Sequence, residues 1–231
     1  MNNWLNFDLF RPICWLCHAP LAPGQPLCAG CLATLPHNHH ACRHCALPVA
    51  PGQSECGQCL ARPPRYQQAL IPFIYAQPLD QLITAFKFQQ RLQYARLLGE
   101  LLADHLPQKP LATLDALLPV PLHPQRLRER GYNQSLEIGR FLARRYRLPL
   151  LKHLCHRVRP TAVQSNLPLA QRATNLRRAF QTHADLQGCA IGIIDDVVTS
   201  GHTVNELAHC LQRAGAGSIT VIAIARADFP R

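Results

Sequence analysis

No apolar run in this chain is long enough to cross a bilayer: Ile219 to Ala225, the best of them, falls far short of the roughly 20 residues a spanning helix needs. The opening stretch, Met1 to Pro12, lacks a basic segment followed by an apolar one and a small-residue cleavage site, so it does not read as a secretion signal. A cytoplasmic location without a membrane span is the expectation. Acids are few, 13 Asp and Glu against 24 Lys and Arg, and the net charge of +11 favours an anionic partner. Aromatics make up only 6%, which leaves little material for a base-stacking platform. A length of 231 residues suffices for one α/β core with a small satellite, not for two large domains.

What is abundant is cysteine, and at one end. Eight of the eleven form four Cys-x-x-Cys pairs, Cys14/Cys17, Cys28/Cys31, Cys42/Cys45 and Cys56/Cys59, recurring every 14 residues. In a reducing compartment such a segment is better explained by thiolates on Zn²⁺ than by disulfides, because two such turns supply a tetrahedral set. Two zinc ions fit the count. Sequential pairing is the simplest arrangement, and a crossed one also satisfies it. A closed four-thiolate site has no open position for substrate, so the metal is expected to be structural. His18, His37, His39, His40 and His44 are not needed as ligands. Cys155, Cys189 and Cys210 stand apart and read as small core residues.

Arg62-Pro63-Pro64-Arg65 interrupts regular structure where the cysteine-rich composition ends. We expect a double zinc ribbon over residues 1–62 and an α/β domain over 63–231. Leu79, Leu82, Ile83 and Phe86 make one helical stripe, and Leu98, Leu101 and Leu102 another before Pro107. Strands are expected at Asp115 to Val120, near Leu151 to Val158, at Ala190 to Ile194 and at Ile219 to Ala225. Helices are expected at Gln134 to Tyr146 and Val204 to Arg213. Such alternation implies a parallel sheet covered by helices.

The informative junction runs from Ile191 to Thr203, a buried strand ending in Asp195 and Asp196 and then a small-residue loop that opens a helix. Open α/β sheets bind ligands at strand carboxyl ends, and a helix N-terminus offers unpaired amides suited to phosphate. Gly201 lets the backbone approach closely, Thr199, Ser200 and Thr203 add hydroxyls, and the two acids can accept from vicinal ribose hydroxyls. This is the pattern of a sugar-phosphate site. Thr203 and Glu206 are placed to form a capping box.

The strand, paired acids and Thr-Ser-Gly-x-Thr loop resemble the ribose-phosphate signature of type I phosphoribosyltransferases. Preceded by the four cysteine pairs and by Pro119-Val120-Pro121-Leu122-His123 with Arg126, Arg130-Gly131-Tyr132-Asn133-Gln134, the chain resembles the ComF family, also called GntX-like, over nearly its full length. That resemblance implies a phosphoribosyltransferase-like fold, phosphoribosyl pyrophosphate bound with Mg²⁺, and a connection with uptake or use of DNA. It assigns the acidic pair to Asp195 and Asp196, and the phosphate loop to Val198, Thr199, Ser200, Gly201, His202 and Thr203. The pyrophosphate loop falls after Pro121, with Arg126, Arg128 and Arg130 as its cations. A mobile catalytic loop falls around Gln164 to Phe180, with Arg172 as the favoured residue.

Residues 126 to 178 hold thirteen Lys and Arg and two acids, a local balance of +11 that equals the whole chain's. Pyrophosphate is one explanation. The other is single-stranded DNA, held through its phosphates, with Tyr132 and Tyr146 nearby for stacking. Two classes therefore stand: a phosphoribosyl-transferring enzyme, and a non-catalytic protein that senses a metabolite or handles DNA on the same fold.

Overall fold

A computed structural model describes residues 12–22, 24–88, 92–158 and 178–228. Two short helices, α1 (Ala29–Ala33) and α2 (Gly57–Ala61), belong to the cysteine-rich segment. Strands β1 (Gln68–Leu70) and β2 (Phe73–Ile74) follow, then helices α3 (Leu79–Phe88), α4 (Gln93–His105) and α5 (Gln108–Ala112). Next come β3 (Ala116–Pro119), α6 (Pro124–Arg130), α7 (Gln134–Tyr146), β4 (His156–Arg157) and β5 (Phe180–Gln181). The order closes with β6 (Ala190–Val198), α8 (His202–Arg213) and β7 (Ser218–Arg226).

The main sheet runs β1-β7-β6-β3, with β2 also on β7, and every pairing in it is parallel. Its long strands are apolar on both faces, as a sheet covered twice requires. Leu117, Ile194, Ile222 and Ile224 face a core with α3, α4 and α7, whereas Leu118, Ile193, Val221 and Ala223 face one with α8. Helix α7 lies so close to α4 that a Cβ at Gly99 would stand 2.7 Å from the Phe141 ring. The fold is therefore α/β, a parallel sheet between helical layers, as expected.

Several boundaries differ from the sequence reading. β6 does not stop at Ile194 but continues through the acids to Val198, because β7 also continues and supplies partners, Asp195 opposite Ala223 and Val198 opposite Arg226. The strand expected over Leu151 to Val158 is only the two-residue β4, antiparallel to β5 and outside the main sheet. The basic turn after Pro121 is the helix α6, with His123 as its N-cap and left-handed Gly131 as its C-cap. The capping box does not form: Gly201 is the N-cap of α8, and the Glu206 carboxylate instead accepts the Arg178 N–H at 2.6 Å.

Candidate functional site

The cysteine-rich segment is one knuckle built twice. Cys14 N–H bonds Ala19 O and His18 N–H bonds Cys14 O in the first copy, just as Cys42 N–H bonds Leu47 O and Ala46 N–H bonds Cys42 O in the second. His18 and Ala46 hold the same positive φ, 60° and 55°. The sulfurs of Cys14, Cys17, Cys28 and Cys31 all lie within 4.8 Å of one another, and so do those of Cys42, Cys45, Cys56 and Cys59. Pairing is therefore sequential. Across each set, Cys17 to Cys28 is 3.7 Å and Cys45 to Cys56 is 3.6 Å. A tetrahedron with Zn–S bonds of about 2.3 Å has edges of about 3.8 Å, so both sets fit the metal.

The thiols are also tuned for it. Burial pushes Cys14 up, but the amides of Cys17, Cys28 and Leu16 outweigh it and bring the thiol down to about 6. Cys42, with burial opposed by the amides of Cys45, Cys56 and His44, falls to about 7. Burial, then hydrogen bonds with the sulfurs of Cys17, Cys28 and Cys14, and last the Cys14 charge push Cys31 up to about 12; a divalent cation would favour its thiolate. Both sites are closed and structural, with no position left for substrate.

At the sheet's carboxyl end the two acids have different surroundings. Asp196 is buried and ion-paired with Lys87 Nζ at 3.1 Å, while its Oδ1 accepts the Val197 N–H at 2.7 Å. Asp195 accepts from the Ser135 hydroxyl at 3.1 Å and from the Asp196 N–H at 2.9 Å. Burial, and then the neighbouring Asp196 charge, raises its carboxyl to about 7; Lys87 and Ser135 pull the other way without prevailing. A polyhydroxyl ligand or a cation at this point would relieve that charge.

The loop beyond fits a phosphate. Thr199 and Ser200 are exposed, and Gly201 takes a φ of +75°, a conformation that would strain any side chain; its Cβ position is open except for the Tyr66 hydroxyl at 3.9 Å. His202 Nδ1 lies 2.8 Å from Ser200 Oγ, and Thr203 follows in the first turn of α8. Val198 differs from the others, since its side chain is buried in the α8 core and only its backbone faces the loop. The same loop borders a cleft of about 1570 Å³ lined by Arg62, Arg65, Arg178 and Arg213, with Glu206 the one carboxylate among its described lining residues.

Helix α6 divides the expected arginine trio. Arg126 and Arg130 share a face at i, i+4 and are half-buried, whereas Arg128 is exposed on another. Arg130 stands 5.7 Å over the Phe88 ring and donates to Gln134 Oε1 at 3.0 Å. Burial, then the Arg130 charge, lowers the Arg126 pKa; burial, then Arg126, lowers that of Arg157, which Asp195 partly restores. Arg157 is thus a further cation by the acids that sequence reasoning missed, as were Lys87 and Ser135. Arg172 lies outside the described residues. Tyr132 and Tyr146 do not form a stacking platform: both pack against the core, their hydroxyls donating to the carbonyls of Phe86 and Ala103. Asn133 caps α7, its side chain accepting from the Ser135 and Leu136 N–H groups.

Fold and sites together define a double zinc ribbon protein with a parallel α/β domain. A model of the double zinc ribbon domain matches residues 8–60. The DNA utilization protein YhgH of Escherichia coli (strain K12) is 35% identical over 219 residues, spanning 93% of this chain and 96% of that protein. Competence protein F of Haemophilus influenzae is 32% identical over 234 residues, spanning 96% and 100%. The chain belongs to this family, the ComF family. Among solved structures, TT1426 from Thermus thermophilus matches with a TM-score of 0.32 and 16% identity, over 61% of this chain and 86% of that one. No described helix is long and apolar enough to cross a membrane.

Proposed function

We propose that this chain binds phosphoribosyl pyrophosphate and acts, in the cytoplasm, in the uptake or use of DNA. The observation that carries the reading is the junction of β6 and α8, where two acids with opposed environments stand beside a glycine-capped loop. Asp195 and Asp196 accept the ribose hydroxyls, and Thr199 to Thr203 enclose the 5-phosphate. Arg126, Arg130 and Arg157 face the pyrophosphate, and Arg128 lends only long-range charge. Mg²⁺, when bound, neutralises pyrophosphate charge. Residues 63–231 form the ligand-binding unit and residues 1–62 its zinc-held companion, with Arg172 as the candidate catalytic cation. The DNA half of the proposal rests on the names of the relatives, DNA utilization protein and Competence protein F.

Calorimetry with phosphoribosyl pyrophosphate and Mg²⁺ tests the binding, and a screen for pyrophosphate release across bases and single-stranded DNA separates an enzyme from a sensor. A second reading, non-catalytic binding of single-stranded DNA, is favoured by the arginine-lined cleft. On that reading affinity falls steeply with salt and shows little sequence preference. Mutual displacement by phosphoribosyl pyrophosphate is expected if the strand reaches the shared Ser200-Gly201-His202 border.

A further inference from the structure

One buried cation belongs to neither the metal sites nor the anion site, and it touches both. Arg226, at the end of β7, is 4% exposed. Its Nε donates to the carbonyl of Cys45, a ligand of the second metal site, at 2.9 Å. Its Nη1 donates to the carbonyls of Val198 at 3.0 Å, Ala227 at 2.8 Å and Thr199. None of the ion pairs among the described residues includes it; its hydrogen bonds go to carbonyls, and the buried Tyr66 phenol interacts with it electrostatically. A buried charge left unmet is costly, and these carbonyls therefore have strong reason to stay where the guanidinium finds them. Two of them, Val198 and Thr199, are the root of the loop that leads to Gly201. A third is fixed by the metal knuckle. Four thiolates outweigh one divalent ion, so the filled second site is anionic, which favours a cation close by.

Among the described residues the first site has no such connection. Its cysteines join the apolar core with α3 and α4, and their hydrogen bonds to described residues stay within the first knuckle. We propose that Arg226 is a positioning residue that ties the phosphate-binding loop to the second zinc knuckle, so that order in residues 199–203 depends on metal in the Cys42/Cys45/Cys56/Cys59 site and not on metal in the first. The consequence for ligand rests on the phosphate-loop reading above; the dependence of loop order on Arg226 and on zinc does not.

Hydrogen exchange of the full-length, zinc-loaded, ligand-free protein separates the two. Arg226→Met is expected to speed exchange of amides 199–203 by at least about tenfold while β3 and α7 stay protected and two zinc ions remain. Arg226→Lys, which keeps the charge but cannot fork between the knuckle and the loop, is expected to fall between wild type and Arg226→Met. Should Arg226→Met fail to fold, the metal sites give an independent test. Cys56→Ser is expected to loosen the loop and Cys17→Ser to leave it protected. Loop exchange unchanged in Arg226→Met, or raised equally by Cys17→Ser and Cys56→Ser, overturns the proposal. In calorimetry with ribose 5-phosphate, Arg226→Lys is expected to bind at least about tenfold more weakly than wild type. A wild type that binds no ribose 5-phosphate while the exchange differences hold would sink the phosphate reading and leave the tie in place.

Discussion

The two zinc knuckles repeat one backbone and differ in what they lean on. The first is apolar: Cys14, Leu27 and Leu35 are buried with α3 and α4, and Trp15 meets Tyr94 edge-on at 4.7 Å. The second keeps a small cluster of its own, Cys42, Cys45 and Cys59 with Leu47 and Val49, meets the α8 core through buried Ala46 and half-buried Ala41, and adds polar outward ties. Besides Arg226 to Cys45, the Asn38 amide donates to Ala46 O at 2.9 Å and His44 Nδ1 lies 2.9 Å from Gln67 O. One module thus serves as a hydrophobic lid over one helical layer and as a hydrogen-bonded anchor beside the loop. A burial-driven contact stabilises without fixing geometry, whereas a hydrogen-bonded one fixes geometry with less stabilisation.

The strongest way to break this comparison is to remove the metals separately. Structural zinc contributes about 10 kcal/mol or more of apparent binding energy to a ribbon, so Cys14→Ser and Cys42→Ser should each lower zinc from two to one per chain by elemental analysis. Cys14→Ser should also lower the melting temperature of the α/β core, which Cys42→Ser should leave within a few degrees. Equal losses would mean that the knuckles are interchangeable. The packing itself is tested by Trp15→Ala, expected to cost roughly 3 kcal/mol in denaturant unfolding, against about 1 kcal/mol or less for Leu47→Ala.

Asp195 sharpens the polar side. With its folded pKa raised to about 7, the carboxyl binds a proton that the unfolded chain releases near pH 4. Its contribution to stability is therefore most favourable below pH 4 and declines as pH rises toward 7. Asp195→Asn should stabilise the ligand-free protein by roughly 1–3 kcal/mol at pH 8 and by little at pH 4, read from paired denaturant melts. The smallest effect concerns α6. Arg128→Ala should weaken phosphoribosyl pyrophosphate by no more than about twofold, whereas Arg126→Ala with Arg130→Ala should weaken it about tenfold or more.

Local chemistry was legible where it repeats, though not at the start of α8, where the expected capping box gives way to Gly201. The cysteine spacing announced both metal sets, and the apolar spacing placed α7 at Gln134–Tyr146, as observed. Legibility failed where long-range pairing decides. β1 and β2, of three and two residues, are too short to show alternation, and β6 extends through its acids only because β7 runs beside them. Lys87 and Arg226 are ordinary cations in sequence and acquire roles from contacts far along the chain, to Asp196 and to Cys45.

The central claim is a sugar-phosphate site at Asp195 and Asp196, and one calorimetric experiment addresses it most directly. Wild-type protein titrated with phosphoribosyl pyrophosphate and Mg²⁺ should show saturable binding, and Asp195→Asn/Asp196→Asn, folded and carrying both zinc ions, should show none. An inert wild type, or a double variant with unchanged affinity, would contradict the account.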